Sequence, residues 1–364
     1  MKFLRRMFPS KYENIVTHED FWDWFLAHHK TFWKAVHDGE KLEEVFFDTM
    51  MSKLNQIKDG IYFLTGMYDG QTVELILTAD TNIKNIVFVE DLIKSAPDIA
   101  NWKFTALKPE VDISKFQIKM ENHTFTTENL FFYATQDDNY PDEIDLTIVY
   151  DKFNEAEKNI IINGVYIYLN NLLGELSSAT MIDHLQIKGN DQENEELIPI
   201  AKLKDYLVWR ESEFEQKYQH KRYSAQKDSW GSFEAALSNG KPYFAIANTT
   251  VLEWNHKASH PWVLKIEIRY EGKENNGLPN PEDMHAMNAF EEELNNVLID
   301  TEGYLNIGRE TADNLREIFF ACREFRDSSR ITHEMITKYS DQLNIEYHIY
   351  KDKYWQTFDR FKYS

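Results

Sequence analysis

The sequence has few of the features that mark secreted or membrane proteins. Its 364 residues include one cysteine, Cys322, so no disulfide can form within the chain, as is typical of a reducing compartment. No uncharged stretch approaches the roughly 20 apolar residues that a membrane-spanning helix needs. The basic start, Met1 to Pro9, is not followed by the apolar run of about 7 to 15 residues found in secretory signals. We therefore expect a cytoplasmic protein without membrane association.

Several enzyme motifs are also missing. The sequence contains no Gly-x-Ser-x-Gly elbow, no Walker loop and no Gly-x-Gly-x-x-Gly turn. His333-Glu334 begins like a metallopeptidase helix, but Thr337 stands where the second imidazole is required. One acidic segment lacks the central glycine and closing glutamate of a calcium loop. Its carboxylates are Asp137, Asp138, Asp142, Glu143 and Asp145. We expect no metal site and no cofactor, and we interpret this segment as solvated.

Positive charge is scarce. Forty lysines and arginines stand against 61 aspartates and glutamates, which gives a net charge of -21. Such a surface repels nucleic-acid phosphates and attracts basic proteins. The basic run from Lys217 to Lys227 includes Tyr218 and Tyr223, but in an acidic chain it is typical of a solvated helix face. We expect a basic protein partner and no nucleic acid.

Length and composition indicate two globular domains. The chain is 42% hydrophobic and 14% aromatic, which supplies enough apolar material for packed cores. Residues 188–196 are polar and have no apolar period, as is usual at a domain boundary. We assign an N-terminal helical pair plus an α+β domain to residues 1–190, a charged linker and connecting helix to residues 191–228, and a second α+β domain to residues 229–364. The sequence does not indicate on which domain the helix over 197–223 packs.

The first half alternates helical and strand periods. Thr17 and Asp20 form a capping-box pattern that begins a helix, and a second helix covers residues 42–57. Asp69-Gly70 predicts a hairpin turn between two strands. Further apolar patterns predict a helix near 83–93, strands near 102–106, 116–120, 130–134 and 144–150, a helix over 153–172 and a strand near 181–187.

The second half contains the clearest local signals. Residues 262–270 alternate between apolar and polar side chains, as in a strand with one wet face. Asn280 is placed to cap a helix that Pro281 begins and that extends to about Ile299. Strands near 243–252, 304–309, 315–321 and 345–350 and a helix over 330–340 complete the half. Both halves therefore indicate ferredoxin-like α/β sandwiches, each a mainly antiparallel sheet with helices on one face.

A family resemblance begins at Asn276-Gly277-Leu278-Pro279, which precedes the acidic amphipathic helix. From about Trp230 to the C-terminus the chain resembles the family catalogued as domain of unknown function 695. The resemblance implies a bacterial protein from a family without an assigned activity or catalytic residues. The Asn-Gly-Leu-Pro motif itself sets a turn and carries no chemistry. The N-terminal half resembles no family securely.

The segment from Trp254 to Trp262 is the candidate for function. It places His256 and His260 between the aromatic side chains of Trp254 and Trp262. One hypothesis is a non-catalytic protein-binding or regulatory module of the inhibitor or immunity type, in which the tryptophans contact the partner. The alternative is a hydrolase-type enzyme whose site is assembled from these histidines and dispersed carboxylates. The sequence leaves the partner, any substrate and the oligomeric state open.

Overall fold

The computed structural model describes residues 14–112, 116–190 and 196–361, and it shows a mixed α+β fold with several sheets, as the sequence predicts. Within these ranges no helix has both the length and the apolar composition needed to cross a bilayer. The proposed linker over 191–228 includes residues 191–195, which lie outside the described residues. The division into two ferredoxin-like domains therefore stays a prediction.

A three-stranded sheet with helices on one face forms the first part, residues 14–107. Its elements are α1 (His18–Asp38), α2 (Asp48–Ile57), β1 (Tyr62–Met67), β2 (Val73–Thr78), α3 (Ile83–Lys94) and β3 (Trp102–Ala106). The predicted capping box is present at α1, since Thr17 and Asp20 each accept the other's backbone N–H. β1 and β2 form the predicted hairpin, and β3 runs parallel to β2. The strand order β1-β2-β3 leaves β1 at an edge.

The middle part, residues 116–218, has its own hydrophobic cluster. Its elements are β4 (Ile118–Met120), β5 (His123–Phe125), β6 (Leu130–Thr135), β7 (Asp145–Tyr150), α4 (Lys158–Leu173), α5 (Glu175–Thr180), β8 (His184–Lys188), β9 (Ile198–Pro199) and α6 (Leu203–Tyr218). The main sheet has the order β8-β7-β6-β9, with β7 and β8 parallel. Leu203 and Leu207 of α6 pack in one cluster with Val165 of α4. The connecting helix therefore packs on this part.

A six-stranded antiparallel sheet forms the last part. Its elements are β10 (Trp230–Ala236), β11 (Pro242–Asn248), α7 (Thr249–Leu252), β12 (Trp262–Arg269), α8 (Pro281–Val297), β13 (Tyr304–Ala312), β14 (Leu315–Cys322), α9 (Arg326–Tyr339) and β15 (Asn344–Lys351). The strand order is β10-β11-β13-β14-β12-β15. β10 was not predicted, because it lies at an edge and its residues are mostly exposed, so it has no apolar alternation.

The predicted alternation is present at β12, where the apolar side chains are buried and Lys265, Glu267 and Arg269 are partly or fully exposed on the other face. At the start of the strand, however, this second face is also covered. Ile266 is buried on the face covered by α8 and α9. Val263 points to the opposite face and packs in a second cluster with Trp355 and Phe358. These aromatic residues follow β15 and belong to or precede the short helix Gln356–Phe361. The sequence did not reveal this cover because the segment has no periodic apolar pattern.

The first and last parts share one hydrophobic core. The cluster that contains α1 to α3 and the sheet β1-β2-β3 continues into α8, α9 and the adjoining face of β12, β14 and β15. Polar contacts follow the same boundary. Arg326 donates from Nε and Nη2 to the Glu90 carboxylate at 2.7 and 2.8 Å, and Ser329 Oγ donates to the Lys84 carbonyl at 2.6 Å. Apolar burial and ion pairs therefore join the two ends of the chain.

Leu294 tests the packing of α8, since its side chain is fully buried in the shared core. Leu294→Ala should lower the free energy of unfolding by about 2 to 5 kcal/mol, through lost apolar burial and the cavity left behind. Val297→Ala is the matched control, because Val297 lies in the same helix and is 42% exposed. Urea unfolding followed by tryptophan fluorescence measures both. A loss below about 0.5 kcal/mol for Leu294→Ala would mean that the buried stripe of α8 is misassigned.

Candidate functional site

The two candidate histidines have different surroundings. His260 is 1% exposed, and its Nδ1 lies 2.9 Å from Ser259 Oγ. Because Ser259 Oγ donates its proton to the His256 carbonyl at 2.7 Å, it accepts from His260, which therefore carries a proton on Nδ1. Burial, with a smaller effect of Arg222, lowers the pKa of His260 to about 4. His260 is thus a neutral, buried imidazole that cannot act as a base towards Ser259, whereas His256 is partly exposed.

The two candidate tryptophans also differ. Trp262 is buried, and its ring packs against Phe325 with the centroids 4.9 Å apart. Trp254 is only partly buried and lines a cavity of about 240 Å³ together with Tyr140 and Tyr354. Trp254 is thus the more exposed of the two, although Trp262 also lines a cavity, which is described below.

The acidic segment is not simply solvated, which corrects our interpretation. The Asp142 carboxylate accepts from Lys217 Nζ at 2.7 Å, from the Tyr218 hydroxyl at 2.6 Å and from the Tyr354 hydroxyl at 2.7 Å. Burial acts to raise the pKa of Asp142, but these three donors outweigh it, so the pKa is lowered. The donors come from α6 and from the segment after β15, far along the chain, so no local pattern could reveal them.

A buried lysine joins the middle and last parts of the chain. Lys353 is 1% exposed, and its Nζ donates to the Asp142 carbonyl at 2.6 Å and to Asp183 Oδ2 at 2.7 Å. Lys351 Nζ lies 3.1 Å from Asp183 Oδ1. Burial would raise the pKa of Asp183, but the two lysines and the Ile144 N–H lower it overall. The junction is therefore a polar network with paired charges.

A second cavity, of about 540 Å³, lies between α6 and the ends of β12 and β15. Phe214, Trp262 and Phe325 line it along with several charged residues. The cations on its wall are already engaged: Arg326 pairs with Glu90, and Arg323 donates to the Tyr218 carbonyl at 2.9 Å. Neither His256 nor His260 lines this cavity. It does not bring the candidate histidines and the acidic segment together.

Two further residues with reactive side chains are buried. Burial raises the pKa of the Cys322 thiol to about 12, so the thiolate nucleophile does not form at neutral pH. His333 Nδ1 lies 3.3 Å from Lys58 Nζ, and burial followed by the Lys58 charge lowers the pKa of His333 to about 4. Both residues are therefore part of the packing.

Two groups of side chains among the described residues have their ligand atoms within 4.8 Å of one another and could hold a metal ion. The first consists of Glu143, Asp145 and His184, and the second of Glu267, Glu346 and His348. In both groups the histidine comes from a different strand than the first carboxylate. Sequence reasoning missed them because strand pairing, not spacing along the chain, brings the ligands together.

An apolar surface lies on the edge strand β1. Four large side chains of this strand and of the residue after it are exposed, and we call them the β1 surface: Tyr62, Leu64, Met67 and Tyr68. Among the described residues no strand pairs with the outer edge of β1. The sequence predicted the strand but not its edge position, because that depends on where β3 joins the sheet.

The comparisons with known proteins identify only the C-terminal region. Residues 228–363 match the family described as "Family of unknown function (DUF695)", which confirms the resemblance seen from Trp230 onwards. Residues before 228 lie outside this match. The comparisons with curated proteins and with solved structures gave no match.

Protonation of His260 should make the fold sensitive to mild acid. Its folded-state pKa of about 4 lies below the ordinary histidine value of 6.5, so protons bind the unfolded chain more readily. The contribution of neutral His260 to the free energy of unfolding is fully present above pH 6.5 and decreases as the pH falls towards 4. The largest loss is about 3 kcal/mol. Urea unfolding of His260→Asn between pH 4.5 and 7.5 should show a weaker pH dependence than the wild type. His256→Asn is the control and should keep the wild-type slope; equal slopes for all three proteins would contradict the assignment.

Proposed function

We propose that the protein is a non-catalytic, cytoplasmic bacterial binding protein, and that it binds an extended segment of a basic protein along the outer edge of β1. The observation that carries the proposal is the composition of this edge. An exposed strand edge presents unpaired backbone N–H and C=O groups, which a partner strand can pair with. The exposed side chains of the β1 surface, such as Tyr62 and Leu64, add apolar area to that contact.

Proteins usually protect sheet edges with charged residues or proline. Of the six strands that end the three larger sheets in the described residues, β1 has neither. Each of the other five carries at least one such residue: Lys103 in β3, Lys188 in β8, Pro199 in β9, Glu234 in β10 and Lys351 in β15. The contrast singles out β1 as the edge that is open to a partner.

Charge favours a basic partner over a second copy of the chain. Two copies would each carry a net charge of -21 and would repel each other at long range. Asp59 and Asp69 flank β1 at its two ends. Lys58 and Lys103 also lie beside β1, with Lys103 Nζ 3.8 Å from the centre of the Tyr68 ring, so the local charges largely cancel. A basic segment would therefore gain chiefly from the overall field, with most of the effect on the association rate.

The geometry around the candidate histidines gives less support to the hydrolase alternative. Ser259 Oγ already donates to the His256 carbonyl, and His260 is neutral and buried. None of the hydrogen bonds found for His260 involves a carboxylate that could orient it as a base. We therefore propose binding without catalysis.

Site-specific photo-crosslinking in cells tests the surface directly. Leu64, which is 48% exposed, is replaced with a benzoyl-phenylalanine crosslinker, and Val208 of α6, which is 51% exposed, serves as the matched position. We expect position 64 to capture a protein with a basic face and position 208 not to capture it. Capture only of other copies of this chain, or equal capture at both positions, would contradict the proposal.

With the captured protein purified, Leu64→Lys should weaken binding at least about tenfold, because it adds a lysine to the pairing edge and repels a basic segment. Val208→Lys changes the net charge equally and should have little effect. The association rate should fall several-fold between 50 and 300 mM salt. Tight binding of RNA in about 150 mM salt would point instead to a concentrated basic patch and would overturn the expected partner class.

A further inference from the structure

The side chains of Glu143, Asp145 and His184 converge on one side of the parallel pair β7 and β8. Asp145 and His184 are register partners, so their side chains leave the sheet on the same side. Glu143 precedes Asp145 by two residues, which gives it the same direction in an extended chain. The backbone N–H of Ile144 donates to Asp183 Oδ2 at 2.7 Å and fixes the segment between the two carboxylates.

The two carboxylates are only partly compensated by the protein: Gln356 Nε2 donates to Glu143 Oε1 at 3.2 Å, and His184 Nε2 lies 3.4 Å from Glu143 Oε2. Glu143 is 8% exposed, and Asp145 Oδ1 is buried with no hydrogen-bond partner among the described residues. Neither has a lysine or arginine within ion-pair distance in those residues, since Lys351 and Lys353 pair with Asp183. Burial first, and then neighbouring carboxylates, raise the pKa of both Glu143 and Asp145, with His184 acting in the opposite direction.

The distance between two of the three ligand atoms equals the spacing expected around a tetrahedral ion. Ligands about 2.0 to 2.1 Å from a tetrahedral Zn²⁺ lie about 3.3 to 3.4 Å from one another. His184 Nε2 and Glu143 Oε2 are 3.4 Å apart, which is long for a hydrogen bond between these groups. Mutual distances within 4.8 Å for all three ligand atoms leave room for an ion between them after small rotations.

We propose that Glu143, Asp145 and His184 form a Zn²⁺ site with one coordination position open. The two carboxylates and the neutral imidazole supply three protein ligands, which is the usual number for zinc sites that keep a fourth position for water or another ligand. A cavity of about 250 Å³ adjoins the site and is lined by Glu143 and His184 as well as by Tyr350 and Gln356 from the last part of the chain. Asp183, Lys351 and Lys353 also line this cavity, so the space next to the site is polar.

The second group of potential ligands is a natural control. Glu267 already pairs with Lys265 at 2.8 Å and with Arg269 at 3.2 Å, so its charge is compensated. Glu346 and His348 are exposed on the edge strand β15. The proposed site has an ion pair only between its own ligands, His184 and Glu143, whereas a metal ion at Glu267 would have to displace the lysine and the arginine, so this second group should bind Zn²⁺ less tightly.

Competition with a chromophoric chelator measures Zn²⁺ binding to the full-length protein. We expect one Zn²⁺ per chain, with Asp145→Asn and His184→Asn each weakening binding at least about tenfold and His348→Asn leaving it unchanged. Co²⁺ should give visible absorption bands that change in His184→Asn, since one nitrogen ligand is lost. No stoichiometric binding, unchanged affinity in Asp145→Asn and His184→Asn, or loss of binding in His348→Asn would each overturn the site.

Thermal unfolding without metal provides a second, independent readout. Asp145→Asn should unfold at the same temperature as the wild type or higher, because it removes one of two neighbouring, poorly compensated negative charges. Added Zn²⁺ should raise the unfolding temperature of the wild type and of His348→Asn but not of Asp145→Asn. A metal-free Asp145→Asn protein that unfolds several degrees lower would show that Asp145 serves the fold itself and would contradict the inference.

Discussion

The apolar face of the six-stranded sheet is the constraint on which the rest of the fold depends. Side chains such as Leu264 and Ile266 on this face are fully buried, and burial of apolar area is the main favourable term in folding. The cover comes partly from α8 and α9 and partly from the first part of the chain, whose α3 packs against α9 and β15. The region that matches the family is thus completed by residues far outside it. The ion pair of Arg326 with Glu90 fixes the orientation of this contact but adds less than the apolar burial does.

The middle part has its own hydrophobic cluster, and among its described residues it contributes only Leu176 and Ala179 of α5 to the edge of the shared core. Its junction with the last part contains a buried lysine, Lys353, whose ammonium group needs acceptors once it has left water. Asp183 and the Asp142 carbonyl provide them. This requirement explains why part of the acidic segment turns inward. Among the described residues Lys353 pairs with Asp183, so it acts on Glu143 and Asp145 only from a greater distance, and the metal ion that we propose would add the missing positive charge.

Local signals in the sequence predicted most elements but not their partners. Asn280 caps α8 as expected, and Asp69 forms the turn of the β1–β2 hairpin by accepting from the Gln71 N–H at 2.7 Å. Both depend on residues within a few positions. By contrast, β10, the cover supplied by Trp355 and the approach of His184 to the acidic segment depend on pairing between distant strands. Spacing along the chain contains no information about such pairing. The segment from Trp254 to Trp262 was singled out for its aromatic side chains, but aromatic side chains also pack in hydrophobic cores, and a sequence does not separate the two roles.

In the binding that we propose, the net charge of the chain and the edge of β1 act at different stages. A charge of -21 acts over several ångströms and selects the sign of the partner, but it is screened beyond about 8 Å at physiological salt and fixes no register. β1 has no charge, so it cannot attract at a distance, yet its backbone groups would set both the alignment and the residence time of a bound strand. An acidic chain with one neutral strand edge can therefore approach many basic surfaces and retain only those that present an extended segment. Selectivity of this kind would need no pocket and leave no short motif, so the surface that we propose has no counterpart among the sequence motifs.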